Sequence, residues 1–383
     1  MSPRSSIAFA AALLLVFGAL PAAQDGDAPG VRCIKCKHVG RLPCPEHKRS
    51  DCKLEDNVLY CSFVAGCATC GGVGWIDCPR CDNEPVQEAI ETKRAALPGF
   101  GEGLKEIDDA MGREVRKAES EHFVLVWEID EMKVGKRRLS DHELLHLYVD
   151  RLEEVFDTYT EVLGAEEQEF EKKTKVMIWY HMQDHLRAGL YFCEGQGRSG
   201  IKLLGSTSVY SVSGTKRFFK DDEALHRNVV HSVAHLLLSH QRPSRWLGNI
   251  SSGWADAGVA HWFEDRFFGI CDNYCYQEVN SNRDFKGGKW RPAVRKMVAG
   301  DDAPPMAHVL QQNTTTLSLP AHAVSFSYID FLIQKDPEKT NLMLKGLRSR
   351  VPARDAIQEI WGWKVLEFER EWKVWVLATY PVR

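Results

Sequence analysis

The sequence predicts an α+β chain in which a cysteine-rich segment precedes a larger domain built from a small mixed sheet and helices. Three observations carry this. Nine of the twelve cysteines fall between Cys33 and Cys81. Runs rich in β-branched and aromatic residues, at 123–129 (FVLVWEI), 176–180 (VMIWY) and 208–212, read as strands. Apolar residues at helical spacing fill 144–163, and a second helix, 225–239 (LHRNVVHSVAHLLLS), carries two histidines four positions apart.

The first element is not expected to belong to the fold. Arg4 precedes an apolar run, 7–20, followed by Pro21-Ala22-Ala23, the pattern of a secretory signal peptide over residues 1–23. Export follows from this reading, to a secreted or periplasmic location where disulfides are permitted. No other stretch is long and apolar enough to span a bilayer, so no stable membrane span is expected after cleavage. A net charge of −4 gives no reason to expect nucleic acid.

The cysteine module is placed at 30–84. It reads C-I-K-C-x7-C-P-E-H at Cys33, Cys36, Cys44 and His47, then C-A-T-C-x7-C-P-R-C at Cys67, Cys70, Cys78 and Cys81. The spacing repeats without a gap, with His in place of the last Cys in the first copy. Paired C-x2-C units supply soft ligands at tetrahedral reach, which suits structural Zn²⁺, and the repeat provides for two ions. His keeps a zinc ligand but has no place in a disulfide framework. Glycines at Gly71, Gly72 and Gly74 allow tight turns that bring amides toward the thiolates. Each half can bind its own ion, or outer and inner pairs can combine; disulfides and C-x-x-C redox chemistry are the competing uses of these cysteines. The string CATCGGVG fits the C-x-x-C-x-G-x-G unit, and the module resembles DnaJ-type zinc domains and, more broadly, a zinc ribbon. The resemblance implies zinc and binding of unfolded protein. Cys52, Cys61, Cys193, Cys271 and Cys275 remain, an odd number, with a Cys52–Cys61 bridge as one pairing.

Residues 85–119 read as a linker of two helices, 86–95 and 104–118, broken at Pro98-Gly99 and Gly101. The remaining chain, 120–383, holds the helix with His231 and His235, whose imidazoles share one helical face. In H-E-x-x-H zinc peptidases the residue after the first His is the general base; here it is Ser232. Farther on stands Gly-Trp-Ala-Asp-Ala-Gly-Val-Ala-His-Trp-Phe-Glu at 253–264.

These features resemble the gluzincin, or peptidase-MA-like, metallopeptidases, and the resemblance extends through 325–332 to a closing pattern at 353–376. It implies a zincin-like fold with an H-x3-H helix and a helical C-terminal lobe. It also implies a third zinc ligand, a glutamate, at the position that Ala257 occupies. The vestigial positions are thus Ser232 and Ala257, and no catalytic residue is expected. A residual metal site would use His231 and His235 with Asp256 or His261. The acidic run 221–223 is expected to start the helix, favourable at its positive end. Trp254, Trp262 and Phe263 are expected in the core.

The expected function is therefore that of an exported zinc protein whose inactive metallopeptidase-like domain binds peptide or protein. Two alternatives stand beside it: an active zinc peptidase with atypical ligands, and a chaperone-like interaction protein acting through the zinc module.

Overall fold

The computed structural model describes residues 33–37, 40–47, 57–81, 83–274 and 285–383. The signal-peptide reading, Cys52 and Cys275 fall outside the described residues. The chain is α+β with a small mixed sheet.

Three short strands lie in the cysteine-rich segment: β1 (Arg41–Pro43), β2 (Tyr60–Cys61) and β3 (Trp75–Asp77). β1 and β3 pair antiparallel, with Leu42 opposite Ile76. β2 instead joins the main sheet. Helix α1 (Glu84–Ala96) starts where Asn83 accepts from the Val86 amide, with Pro85 in its first turn. Helix α2 (Lys105–Met111) is shorter than the spacing predicts. It ends at Gly112, whose φ of 69° allows its amide to cap the carbonyls of Asp108 and Asp109. The residues expected to continue the helix to 118 instead form strand β4 (Lys117–Glu119), because pairing with β5 (Phe123–Trp127) takes their backbone groups.

A hairpin, β6 (Glu131–Val134) and β7 (Arg137–Ser140), leads into α3 (Asp141–Leu163). A capping box fixes the start of α3, since Ser140 accepts from the Glu143 amide and Glu143 accepts from the Ser140 amide. Then come β8 (Thr174–Trp179), α4 (Met182–Phe192), β9 (Gly200–Leu203), β10 (Val209–Ser213) and α5 (Asp222–His240), the histidine helix. Asp221 caps α5 by accepting from the Ala224 amide, while Asp222 binds Arg151 and Tyr148, so the acidic run starts the helix as expected. The rest is helical: α6 (Gly253–Phe268), α7 (Trp290–Ala299), α8 (Met306–Val309), α9 (Leu319–Lys335), α10 (Pro337–Arg348), α11 (Ala353–Trp361) and α12 (Val365–Thr379).

The main sheet has the order β2-β4-β5-β8-β10-β9. Its centre is parallel, β5 with β8 and β8 with β10, and its edges are antiparallel. Both faces are covered. Leu125, Trp127, Val176 and Ile178 face the core shared with α3 and α5, while Val124, Val126, Met177 and Trp179 face a second core with α2 and α4. Burial on both sides explains why β5 and residues 176–179 of β8 are apolar throughout rather than alternating. Below the sheet, α5 packs on α6 and α6 on α9. Gly258 sits where α6 meets α9 closely, since a β-carbon there would lie 2.6 Å from the Ser325 carbonyl oxygen. No helix among the described residues is long and apolar enough to cross a membrane.

Candidate metal centres and the histidine helix

The antiparallel β1–β3 pair decides how the cysteine repeat combines. Each strand lies between the two ligand pairs of its own half. Extended backbone advances roughly 3.3 Å per residue, which separates the two pairs of one half. Antiparallel pairing then lays the start of one half against the end of the other. Cys33 and Cys36 meet Cys78 and Cys81, and Cys44 and His47 meet Cys67 and Cys70. Outer pairs combine with each other, and inner pairs with each other. The two halves are also tied by the Cys78 amide donating to the Gly40 carbonyl and the Cys44 amide to the Gly74 carbonyl, both at 2.9 Å.

Four distances within these sets lie near those of metal coordination. Zn–S bonds of about 2.3 Å and Zn–N bonds of about 2.0–2.1 Å give tetrahedral edges of ~3.8 Å for S···S and ~3.5 Å for S···N. Cys33 and Cys78 sulfurs are 3.7 Å apart, Cys44 and Cys67 3.8 Å, Cys36 and Cys81 3.4 Å, and His47 Nε2 lies 3.5 Å from Cys70 Sγ. Both sets can therefore hold metal ions, with the soft ligand chemistry of zinc. The Gly40 amide donates to Cys36 Sγ at 3.3 Å. In each set one thiol gives up its proton early. Cys33 falls to about 6 through the Cys36 amide and then the Cys81 thiol. Cys67 is lowered first by the Cys70 amide.

The histidine helix is different. His231 and His235 are each 1 % exposed and Ser232 is 3 % exposed, so this stretch faces the core. The two imidazoles engage different carboxylates. His235 Nδ1 lies 2.9 Å from Asp256 Oδ1, and the other oxygen of Asp256 accepts from Trp246 Nε1 at 2.9 Å and Thr314 Oγ1 at 2.8 Å. Burial raises the Asp256 carboxyl, but His235 and the three hydrogen bonds more than reverse this and hold it below the usual carboxylate value. His231 Nδ1 faces Glu264 Oε2 at 3.2 Å. Glu264 Oε1 accepts from the amides of Asp272 and Asn273 and from Asn273 Nδ2.

Among the described residues, the metal-capable group at this helix is His231, His261 and Glu264, without His235 or Asp256. Ala257 is fully buried. Ala257, His261 and Glu264 follow one another at i, i+4 and i+7, so the carboxylate that meets His231 lies on Ala257's face two turns along α6. That heptad spacing was the available signal for Glu264. His261 also contacts His322, with Nε2 and Nδ1 3.2 Å apart. Burial pulls both rings down to about 3, so they are neutral at neutral pH. Trp254, Trp262 and Phe263 are core residues, and Trp262 Nε1 donates to Asp330.

The sequence reading missed one more pair. Residues 142–146 spell H-E-L-L-H at the start of α3, and the apolar spacing that predicts a helix from Leu144 obscures the two histidines. His142 and His146 are brought against Cys61, one of the cysteines outside the repeat. Cys61 is a free thiol here, as are Cys193 and Cys271. No protein-family model matches the chain, and no curated protein matches it.

Proposed function

We propose that this is an exported zinc protein in which the ions build structure and the large domain, of degenerate gluzincin-like type, binds peptide or protein without hydrolysing it. The observation that carries the reading is the enclosure of the histidine helix. A hydrolytic zinc needs an open coordination position that substrate can reach. His231 and His235 lie instead in the core, each committed to a buried carboxylate. The general base is replaced by Ser232, whose hydroxyl is far too weak a base to deprotonate metal-bound water near neutral pH. Loss of a positioned base alone costs roughly 10²–10⁴ in rate.

The cysteine module supports a contact role of its own. Ile34, inside the Cys33–Cys36 knuckle, is 90 % exposed. This side chain is the point at which the module would meet an apolar segment of another protein.

The test uses the mature full-length chain, zinc-loaded, mixed with an unfolded, fluorescently labelled protein. Binding without cleavage is expected, unchanged by His231→Ala; weakening by Ile34→Asp would move the contact to the cysteine module. Zinc-dependent cleavage that His231→Ala abolishes would overturn the reading.

A further inference from the structure

We propose a third zinc site, formed by Cys61, His142 and His146, that clamps the cysteine-rich segment onto the main domain. Cys61 belongs to β2, and the two histidines lie one turn apart on α3, so the ligands come from segments 81 residues apart. Cys61 Sγ is 3.5 Å from His142 Nε2, and His142 Nε2 is 3.1 Å from His146 Nε2. These are close to the tetrahedral edges of one zinc ion, ~3.5 Å for S···N and ~3.3 Å for N···N. All three residues are buried.

A purely hydrogen-bonded cluster satisfies these atoms poorly. His142 Nε2 faces the thiol and the second imidazole at once, and one ring nitrogen cannot bond well to both. A cation at the shared point takes one lone pair from each of the three residues and offsets the cost of burying them. One thiolate and two imidazoles favour zinc(II) over calcium or magnesium. Phe63 stacks on His142 at 4.5 Å and covers it.

Glu143 is not arranged as a catalytic base, although it follows the first histidine of H-E-L-L-H. Its carboxylate accepts from the Ser140 amide at 2.8 Å and from Arg137 at 3.1 Å, completing the helix cap. The site therefore offers three protein ligands and holds two segments together.

The experiment loads the mature full-length chain with ¹¹³Cd, whose resonance position reports the number of sulfur ligands. Wild type is expected to show three environments: one with four sulfurs, one with three sulfurs and a nitrogen, and a separate one with a single sulfur and two nitrogens. Zinc loading is expected to reach about three ions per chain. His146→Ala and Cys61→Ser should each remove the single-sulfur signal and one ion while keeping the other two signals. His231→Ala should leave all three. A wild-type chain with only the four-sulfur and three-sulfur signals overturns the proposal. So does a third ion that His231→Ala removes and His146→Ala retains. If either site variant fails to fold, the wild-type spectrum still decides.

Discussion

His235 and Asp256 form a charge-assisted hydrogen bond of 2.9 Å in which both side chains are 1 % exposed. The pair joins α5 to α6, and Trp246 and Thr314 complete the shell around its carboxylate. Removing the carboxylate takes away its bonds with His235, Trp246 and Thr314 together. Asp256→Ala should therefore destabilise the protein by about 3–5 kcal/mol, measured by urea unfolding. A loss below about 1 kcal/mol would mean that the pair is neutral and weakly coupled.

The same carboxyl sets a pH dependence. Asp256 is depressed below its ordinary value of 3.8, so its contribution to stability is present above that value. The contribution is lost as pH falls through the lower folded-state value. Stability of Asp256→Asn should fall less steeply than wild type below about pH 4. Parallel acid-unfolding curves would contradict this assignment.

Glutamates placed at 232 and 257, where the resemblance expects them, should not create a metal site. Ser232 and Ala257 are both buried, so Ser232→Glu with Ala257→Glu forces two larger, ionisable side chains into packed space. Overpacking alone typically costs about 1–3 kcal/mol, and an unpaired buried charge adds to it. The double variant should melt well below wild type without gaining zinc. Gained stoichiometric zinc at an unchanged melting temperature would reopen the peptidase reading.

The combination of outer with outer pairs is testable residue by residue. Cys33→Ser and Cys78→Ser should release the same ion, although the two positions are 45 apart in sequence. Cys70→Ser should release the other. Metal counting with sulfur-sensitive ¹¹³Cd spectra separates the two cases. Loss of one ion by Cys33→Ser and of a different one by Cys78→Ser would contradict the pairing.

Gly258→Ala should destabilise the α6–α9 contact by roughly 1–3 kcal/mol, because the added methyl meets the Ser325 carbonyl oxygen rather than a side chain that can move aside. Thermal unfolding measures this. A stabilised variant would mean that the helices separate readily.

Much of the fold could be read from local pattern. The strands at 123–127, 174–179 and 209–213 stand within two residues of the apolar runs that predict them, because burial on both faces gives those runs their composition. The α5 helix was legible from its apolar periodicity. The end of α2 was not, because the helical spacing continues through a stretch whose pairing partner, 124–126, is supplied from farther along the chain. The eight candidate ligands of the repeat stand out by spacing, whereas their grouping into two sets depends on strand direction, a long-range property. Glu264 was not legible because the resemblance places the third ligand at Ala257, two turns earlier on the same face. The pair His142 and His146 was missed for a local reason, since Ser140 and Glu143 make the same stretch an ordinary helix start.

Strand β2 carries a consequence for how the chain reaches its folded state. Tyr60 and Cys61 pair with Glu119 and Ala118, which pair in turn with Val124 and Leu125. The early segment therefore cannot finish folding until its later partners have been synthesised. A truncated chain that begins after the cysteine repeat would leave the open edge of β4 without its neighbour, and such an edge invites pairing with another molecule. Production of the large domain alone is thus a test of aggregation as much as of function.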